Sequence, residues 1–210
     1  MTLEHLARVL PPPTHPYNTG TPDRWDAVEK SLGFVLPADY KEFTDTYGTG
    51  LIAGFMVVLN PFVANPPDNL LQGTDRWLEF LRIARTFDEQ AIPYSLYPET
   101  EGLFPWATTD KEQTLLWHRA GLPDEWATVV CDRSRCWRYE RTMTDLLASW
   151  LSWEQVYEPF PVWYLDPTQF PDEDGNAPPL RIPDRPRTLK DAHRLFQPFE
   201  TLVGDRHGQE

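Results

Sequence analysis

Apolar residues recur at helical spacing in two successive segments near the start of the chain, and each segment ends at a glycine. The apolar positions are Trp25, Val28 and Leu32 before Gly33, and Tyr40, Phe43 and Tyr47 before Gly48. Pro22 and Pro37 each suit the first turn of a helix, where the missing backbone N–H is not needed. The pattern therefore predicts two helices joined by a tight connection and packed on one core, with Trp25, Tyr40 and Phe43 buried.

Strand and helix patterns continue through the middle of the chain. Strands are predicted where β-branched and aromatic residues run between turn residues, at 54–59, 103–106, 114–118 and 127–131. Helical spacing predicts one helix that begins at Thr74 and another over 142–151. The face of the earlier helix that should pack on the core consists of Trp77, Phe80, Leu81, Ala84 and Phe87. Helices around a group of central strands predict an α+β domain with a mainly antiparallel central sheet.

The stretch from Trp25 to Gly50 also resembles a known family. Its residues Leu36-Pro37-Ala38-Asp39-Tyr40-Lys41-Glu42-Phe43, followed by Tyr47-Gly48-Thr49-Gly50, are similar to the opening of the SUKH superfamily, the group related to the yeast cell-wall synthesis regulators. The positions that carry the resemblance are Trp25, Leu36, Pro37, Tyr40, Phe43, Tyr47, Gly48 and Gly50. The likeness extends more loosely over residues 20–157 and implies a single α+β domain.

Resemblance to this family implies a binding function instead of catalysis. Many bacterial members are similar to immunity proteins, which bind and block toxic nucleases or other toxins. The resemblance therefore implies that this chain neutralises a cognate toxin by binding to it. The yeast relatives imply an alternative, an intracellular regulatory or scaffold protein with several partners.

Proline content divides the chain into three segments. Residues 1–19 begin with a weak helical pattern that stops at Pro11-Pro12-Pro13, which predicts a short N-terminal arm before a SUKH-like domain over 20–157. Prolines recur throughout 158–210 and exclude long regular elements, yet the aromatic residues of this segment predict an extension packed on the domain. A short helix is predicted to begin after Thr188 and to end before Pro198, with Leu189, Ala192, Leu195 and Phe196 on one side, and residues 204–210 are expected to be disordered.

The charge balance narrows the choice of partner. Asp and Glu number 32 against 19 Lys and Arg, which gives a formal net charge of −13. Nucleic acids and anionic membranes repel such a surface, so we exclude both as direct ligands and expect a basic protein partner. Solubility alone also accounts for an acidic composition. The apolar residues before Pro11 are too few for a secretory signal, and no apolar run spans a membrane, which predicts a cytoplasmic protein.

No combination of residues predicts a catalytic or metal site. The histidines are isolated along the sequence, and the glycine-rich stretch 48–54 ends a helix instead of opening a phosphate-binding turn. The acidic turn 172–176 lacks the ligand spacing of a calcium loop. We therefore expect a protein without catalytic activity, metal or cofactor. An enzyme would be favoured only if one deep pocket gathered His118, an acidic pair and either Arg133 or Arg138.

The two cysteines, Cys131 and Cys136, allow two states. They can form a disulfide if they lie opposite each other in facing strands. Two thiols without a second Cys or His pair do not make a tetrahedral zinc site, and the cytoplasm keeps thiols reduced. We therefore expect both to be reduced structural residues.

Charge and family resemblance together predict how the protein binds. A nuclease presents Lys and Arg to phosphate groups, so an acidic surface can cover its active site and is steered to it by charge. The candidate contacts are acidic residues of the loops between strands, namely Glu99, Glu101, Asp110, Glu112, Asp124 and Glu125. An exposed aromatic residue, Trp106 or Trp126, is expected to anchor the interface, because binding hot spots favour tryptophan.

Overall fold

The computed structural model describes residues 3–152, 154–155, 157–160 and 195–199, and within them the chain forms five α-helices and seven β-strands. The helices are α1 (Leu3–Val9), α2 (Pro22–Leu32), α3 (Ala38–Tyr47), α4 (Leu70–Phe87) and α5 (Met143–Leu151). The strands are β1 (Gly50–Ile52), β2 (Met56–Val58), β3 (Leu103–Thr109), β4 (Thr114–His118), β5 (Ala127–Cys131), β6 (Cys136–Tyr139) and β7 (Phe196–Pro198). Most of the proline-rich segment, including its expected disordered end, lies outside the described residues.

The seven strands form one antiparallel sheet, which confirms the predicted α+β class. The strand order is β6, β5, β4, β3, β2, β1, β7, so consecutive strands are neighbours until the last one. Strand β7 comes from the far end of the chain and pairs with β1, with Gln197 opposite Leu51. The predicted strands at 114–118 and 127–131 match β4 and β5, whereas the sequence pattern does not predict β1, β6 or β7.

The predicted helix pair is confirmed as α2 and α3. Gly33 follows α2 in the left-handed conformation, with φ of 77°. Trp25, Tyr40 and Phe43 are buried, as predicted. The Tyr40 hydroxyl donates a hydrogen bond of 2.6 Å to the carbonyl of Leu59, which ties α3 to the end of β2, and burial raises the pKa of this hydroxyl far above its usual value.

The sheet separates two apolar clusters, because side chains alternate between its two faces along each strand. On β4, Leu115 and Trp117 belong to the cluster that contains residues of α1, α2, α3 and α5. Leu116, between them, belongs to the other cluster, where Leu78 and Leu81 of α4 pack. Helix α4 therefore covers one face of the sheet with Leu78 and Leu81, although its first residue, Leu70, joins the other cluster, and the remaining helices cover the opposite face.

The N-terminal residues belong to the core, which corrects the prediction of an arm over 1–19. Leu3, Leu6 and Leu10 are buried, and α1 packs beside α3 and α5. The Tyr47 hydroxyl donates a hydrogen bond of 2.5 Å to the carbonyl of Leu10. The proline run ends α1 without separating it from the domain, since the apolar face of α1 is covered by α3 and α5.

Residues near the C-terminus also complete the core. Leu195 and Phe196 are buried, and the Phe196 ring centroid lies 5.4 Å from that of Tyr47. Because Phe196 begins strand β7, the helix predicted to end before Pro198 is wrong at Phe196 and Gln197, and its earlier part, 188–194, lies outside the described residues. The apolar pair Leu195 and Phe196 before Pro198 is compatible with the end of a helix and with an edge strand. The structure forms the strand, because this segment pairs with β1. The core of the domain therefore does not end at residue 157.

A disulfide joins Cys131 and Cys136, which corrects the expectation of two reduced thiols. The two residues are direct partners in the register of β5 and β6, with their Cα atoms 4.1 Å apart. Pairing of the two strands brings the sulfur atoms together in the geometry of a disulfide. The expectation of reduced thiols relied only on the assumption that the protein is cytoplasmic. The bond closes the hairpin at the edge of the sheet.

Replacing Cys131 and Cys136 together by alanine is expected to lower the free energy of unfolding by about 2 kcal/mol, the loop-closure contribution of a short cross-linked loop. Urea unfolding of the oxidised protein and the double variant measures the difference. A reductant should destabilise the parent protein and leave the variant unchanged. Two reactive thiols in the unfolded, unreduced parent would contradict the bond.

Candidate functional site

The six acidic residues predicted to contact a partner are all exposed, but they lie at two ends of the sheet. The turn cluster, Asp110 and Glu112, lies in the β3–β4 turn, and the loop cluster, Glu99, Glu101, Asp124 and Glu125, precedes β3 and β5 at the other end. Strand β3 has seven residues, so the ends are about 20 Å apart at a rise of about 3.3 Å per residue. The candidates therefore form two separate clusters instead of one surface.

Ion pairs offset much of the charge of the turn cluster. Glu112 Oε2 lies 2.5 Å from Arg133 Nη2, and Asp110 Oδ2 lies 3.6 Å from Lys111 Nζ. Both pairs are exposed, so they contribute little to stability. They nevertheless leave this end of the sheet with less net negative charge to attract a basic partner.

One member of the loop cluster has a structural contact that the sequence does not reveal. Asp124 Oδ1 accepts a hydrogen bond of 2.7 Å from the backbone N–H of Ala38, the first residue of α3. This carboxylate satisfies an N–H without an intrahelical acceptor and faces the positive end of the helix dipole. No sequence signal links two residues that are 86 positions apart. Asp124 therefore stabilises α3.

The other carboxylates of the loop cluster face solvent, while an arginine at the same end is held inward. Glu99, Glu101 and Glu125 are exposed. The guanidinium of Arg119 donates hydrogen bonds of 2.7 Å and 2.9 Å to the carbonyls of Glu99 and Gly102. It also lies over aromatic rings of the core. This end of the sheet therefore presents carboxylates outward.

Neither tryptophan proposed as an exposed anchor is exposed, which corrects that prediction. Trp106 is completely buried, and Trp126 is 5% exposed. Both belong to the main apolar cluster, where Trp126 packs its ring 5.8 Å from Phe34 and 6.2 Å from Trp117. A tryptophan in or beside a central strand buries a large apolar area when its indole ring faces the core. This gain is lost when the ring faces solvent.

The exposed apolar side chains of α4 provide a different candidate. Phe87 is 87% exposed and Ile83 is 51% exposed, so the prediction that Phe87 faces the core is wrong. The buried face of α4 is centred on Leu78 and Leu81. At about 100° per residue, Phe87 lies about 120° around the helix axis from Leu81. The apolar stripe of the sequence is broader than the face that the sheet covers.

An open depression of about 560 Å³ lies between α4 and the loop that follows it. Arg82 and Arg85 line it, but both guanidinium groups donate hydrogen bonds to carbonyl groups of this loop. Glu89 and Glu99 line the same depression. The depression therefore connects the last turn of α4 with the loop cluster.

His118, Arg138 and Glu140 are in contact at the end of β4. Arg138 Nη1 lies 2.5 Å from His118 Nδ1, and Arg138 Nε lies 2.5 Å from Glu140 Oε1. A guanidinium only donates hydrogen bonds, so His118 Nδ1 accepts and the ring proton resides on Nε2. Burial, followed by the charge of Arg138, lowers the pKa of His118. The imidazole therefore accepts a hydrogen bond through Nδ1, and its lowered pKa favours the neutral ring.

The depression beside α4 does not gather the groups that would favour an enzyme. The depression is lined by Tyr94, whose ring centroid is 5.7 Å from that of His118, and His118 does not line it. Within the described ranges, no group of three or more His, Cys, Asp or Glu side chains could hold a metal ion. In the same part of the chain, no helix is long and apolar enough to cross a membrane.

Together, these features define an acidic α+β domain with a seven-stranded antiparallel sheet and solvent-facing carboxylates at its loops. No protein-family model matches the sequence, and a search of curated proteins finds no significant match. The SUKH assignment therefore remains a prediction that rests on the stretch from Trp25 to Gly50. All eight residues that carry the resemblance are buried, so they form scaffold and not a binding surface.

Proposed function

We propose that this chain is a non-catalytic binding protein that neutralises a bacterial toxin, as an immunity protein does, by covering the toxin's active site. The observation that supports this function is the loop cluster, in which Glu99, Glu101 and Glu125 are exposed while Arg119 is held against backbone carbonyls. On a chain of net charge −13, such a cluster favours a partner with a basic surface.

A nuclease is the expected class of toxin, because its active site must attract phosphate groups with Lys and Arg side chains. Exposed carboxylates compete for the same basic groups and exclude the nucleic acid from them. The opposite charges of the two proteins steer their encounter, so the association rate should be high at low salt and fall as salt screens the charges. Inhibition of this kind requires no chemical step.

We expect the Glu99→Lys, Glu101→Lys double variant to associate with the toxin about tenfold more slowly at low salt, because it reverses two charges of the loop cluster. The partner is first recovered from the native cells with tagged protein, and its toxin domain is then purified. Association is followed by stopped-flow fluorescence over a range of salt concentrations. The parent rate should fall with salt, and the rate of the variant should change little.

The matched control is the Asp110→Lys, Glu112→Lys double variant, which reverses two charges of the turn cluster at the same spacing. It should associate within about twofold of the parent rate, since the turn cluster lies at the other end of the sheet. Equal effects of the two variants, together with an association rate independent of salt, would contradict the proposal. Recovery of several endogenous partners without a toxin would instead favour the regulatory or scaffold function.

A further inference from the structure

We infer that Phe87 and Ile83 form the apolar anchor of a binding surface, and that the surface takes a protein segment with an apolar stripe rimmed by Lys and Arg. This inference rests on the proposed function and deepens it, because it names the chemistry of the contact. Phe87 is 87% exposed and Ile83 is 51% exposed. Residues four apart on a helix lie on one face, so the two side chains form a single apolar patch.

Folding of the domain does not need these two side chains. Neither Phe87 nor Ile83 belongs to either apolar cluster or packs against one among the described residues. Helix α4 packs on the sheet through other residues, which include Leu78, Leu81 and Ala84. An exposed phenylalanine adjacent to a second exposed aliphatic residue, without a role in the core, is typical of an interaction site.

The charges around the patch indicate which partner it fits. Glu79 and Arg76 are both exposed on the same outward side of α4 as the patch, and Asp88 and Glu89 follow Phe87 directly in the chain. Arg82 also lies on this part of α4, but it pairs with Glu79 and donates a hydrogen bond to a backbone carbonyl. An apolar centre with carboxylates at the adjoining helix end is complementary to an apolar site with basic groups beside it.

Hydrogen bonds hold the end of α4 in place. The backbone N–H of Asp88 donates to the carbonyl of Ala84 at 3.2 Å, and Asp88 Oδ1 accepts from the N–H of Gln90 at 2.9 Å. Arg85 donates to two carbonyls of the following loop. Because the helix end is fixed before binding, the backbone that carries Phe87 loses little conformational freedom when a partner covers it, which favours affinity.

The patch is continuous with the loop cluster through the depression beside α4. Thr86 and Glu89, which flank Phe87 and Asp88 in sequence, line this depression together with Glu99. A partner that covers Phe87 can therefore contact Glu89 and Glu99 at the same time. The structure thus joins an apolar anchor to the carboxylates that steer the encounter.

The probe for this inference is a synthetic helical peptide of leucine and lysine, with its leucines along one stripe, titrated into the full chain by fluorescence anisotropy. We expect Phe87→Ala to weaken its binding about 30-fold, the effect of a hot-spot side chain. The loss should lie mainly in a faster dissociation rate. A control peptide of the same charge, in which serine replaces leucine, should bind the parent protein weakly. Its affinity should not exceed the affinity of the leucine–lysine peptide for the Phe87→Ala variant.

Val35→Ala and Leu122→Ala are the matched controls, because these side chains are 55% and 65% exposed at positions outside α4. Both should bind the peptide within about twofold of the parent, and all three variants should keep the parent melting temperature. The inference is overturned if the parent does not bind the peptide, if Phe87→Ala binds it like the parent, or if Phe87→Ala unfolds the domain. None of these results changes the toxin association measured with the charge variants, so the proposed function stands or falls separately.

Discussion

Replacing Leu195 and Phe196 together by alanine is expected to lower the free energy of unfolding by about 5 kcal/mol or more, because each substitution leaves a cavity in a packed core. Phe196 packs against Tyr47 of α3, and Leu195 accepts a hydrogen bond of 2.6 Å from the N–H of Ala53 through its carbonyl. A loss of this size removes most of the stability of an ordinary domain. Urea unfolding followed by tryptophan fluorescence measures it.

The control for this experiment lies in the same strand. Gln197 is exposed between two residues that face the domain, so Gln197→Ala should change the free energy of unfolding by less than about 0.5 kcal/mol. A double variant of Leu195 and Phe196 that is as stable as the parent would show that the domain is complete without β7.

Replacing Gly48 by alanine is expected to cost about 3 kcal/mol or more, since two separate penalties act at this position. Gly48 has φ of 67° and ψ of −141°, a conformation that side chains rarely adopt. An added Cβ would also lie 2.1 Å from the backbone carbonyl oxygen of Tyr17. Because the neighbouring group is backbone, the contact is relieved only by moving the chain before α2 away from α3.

Gly33→Ala separates the two penalties. Gly33 also has a positive φ, of 77°, but an added Cβ there meets no atom within 4 Å. The variant should therefore lose only about 1–2 kcal/mol, the cost of the left-handed conformation. Chemical unfolding of both variants gives the comparison, and equal losses at Gly33 and Gly48 would refute the contribution of the Tyr17 contact.

Local signals explain which parts of the fold the sequence predicts. Helices α2, α3 and α5 and strands β4 and β5 have apolar periods and turn residues within their own segments, and their positions agree with the prediction. Strands β1, β6 and β7 are three or four residues long and depend on pairing with other strands. Such short segments have no period of their own, so their existence depends on pairing with another strand, which for β7 lies far away in sequence.

The candidate site was harder to predict than the fold, because it depends on which residues the sheet brings together. Antiparallel pairing places Glu99 and Asp110 at opposite ends, although both lie in loops next to β3. Burial of Trp106 and exposure of Phe87 are likewise set by the position of neighbouring elements. An apolar stripe predicts that a helix has a packing face, and only the tertiary structure determines which of its residues are covered.

The pairing of β7 with β1 has a consequence for synthesis on the ribosome. Strands β1 to β6 each pair with a neighbour in sequence and can form as the chain emerges, but the other edge of β1 stays unpaired until β7 is made. During that interval β1 is an unprotected sheet edge next to an incomplete apolar core, a state that favours association between nascent chains. Chaperone demand during translation should therefore depend on how quickly the segment between α5 and β7 is made.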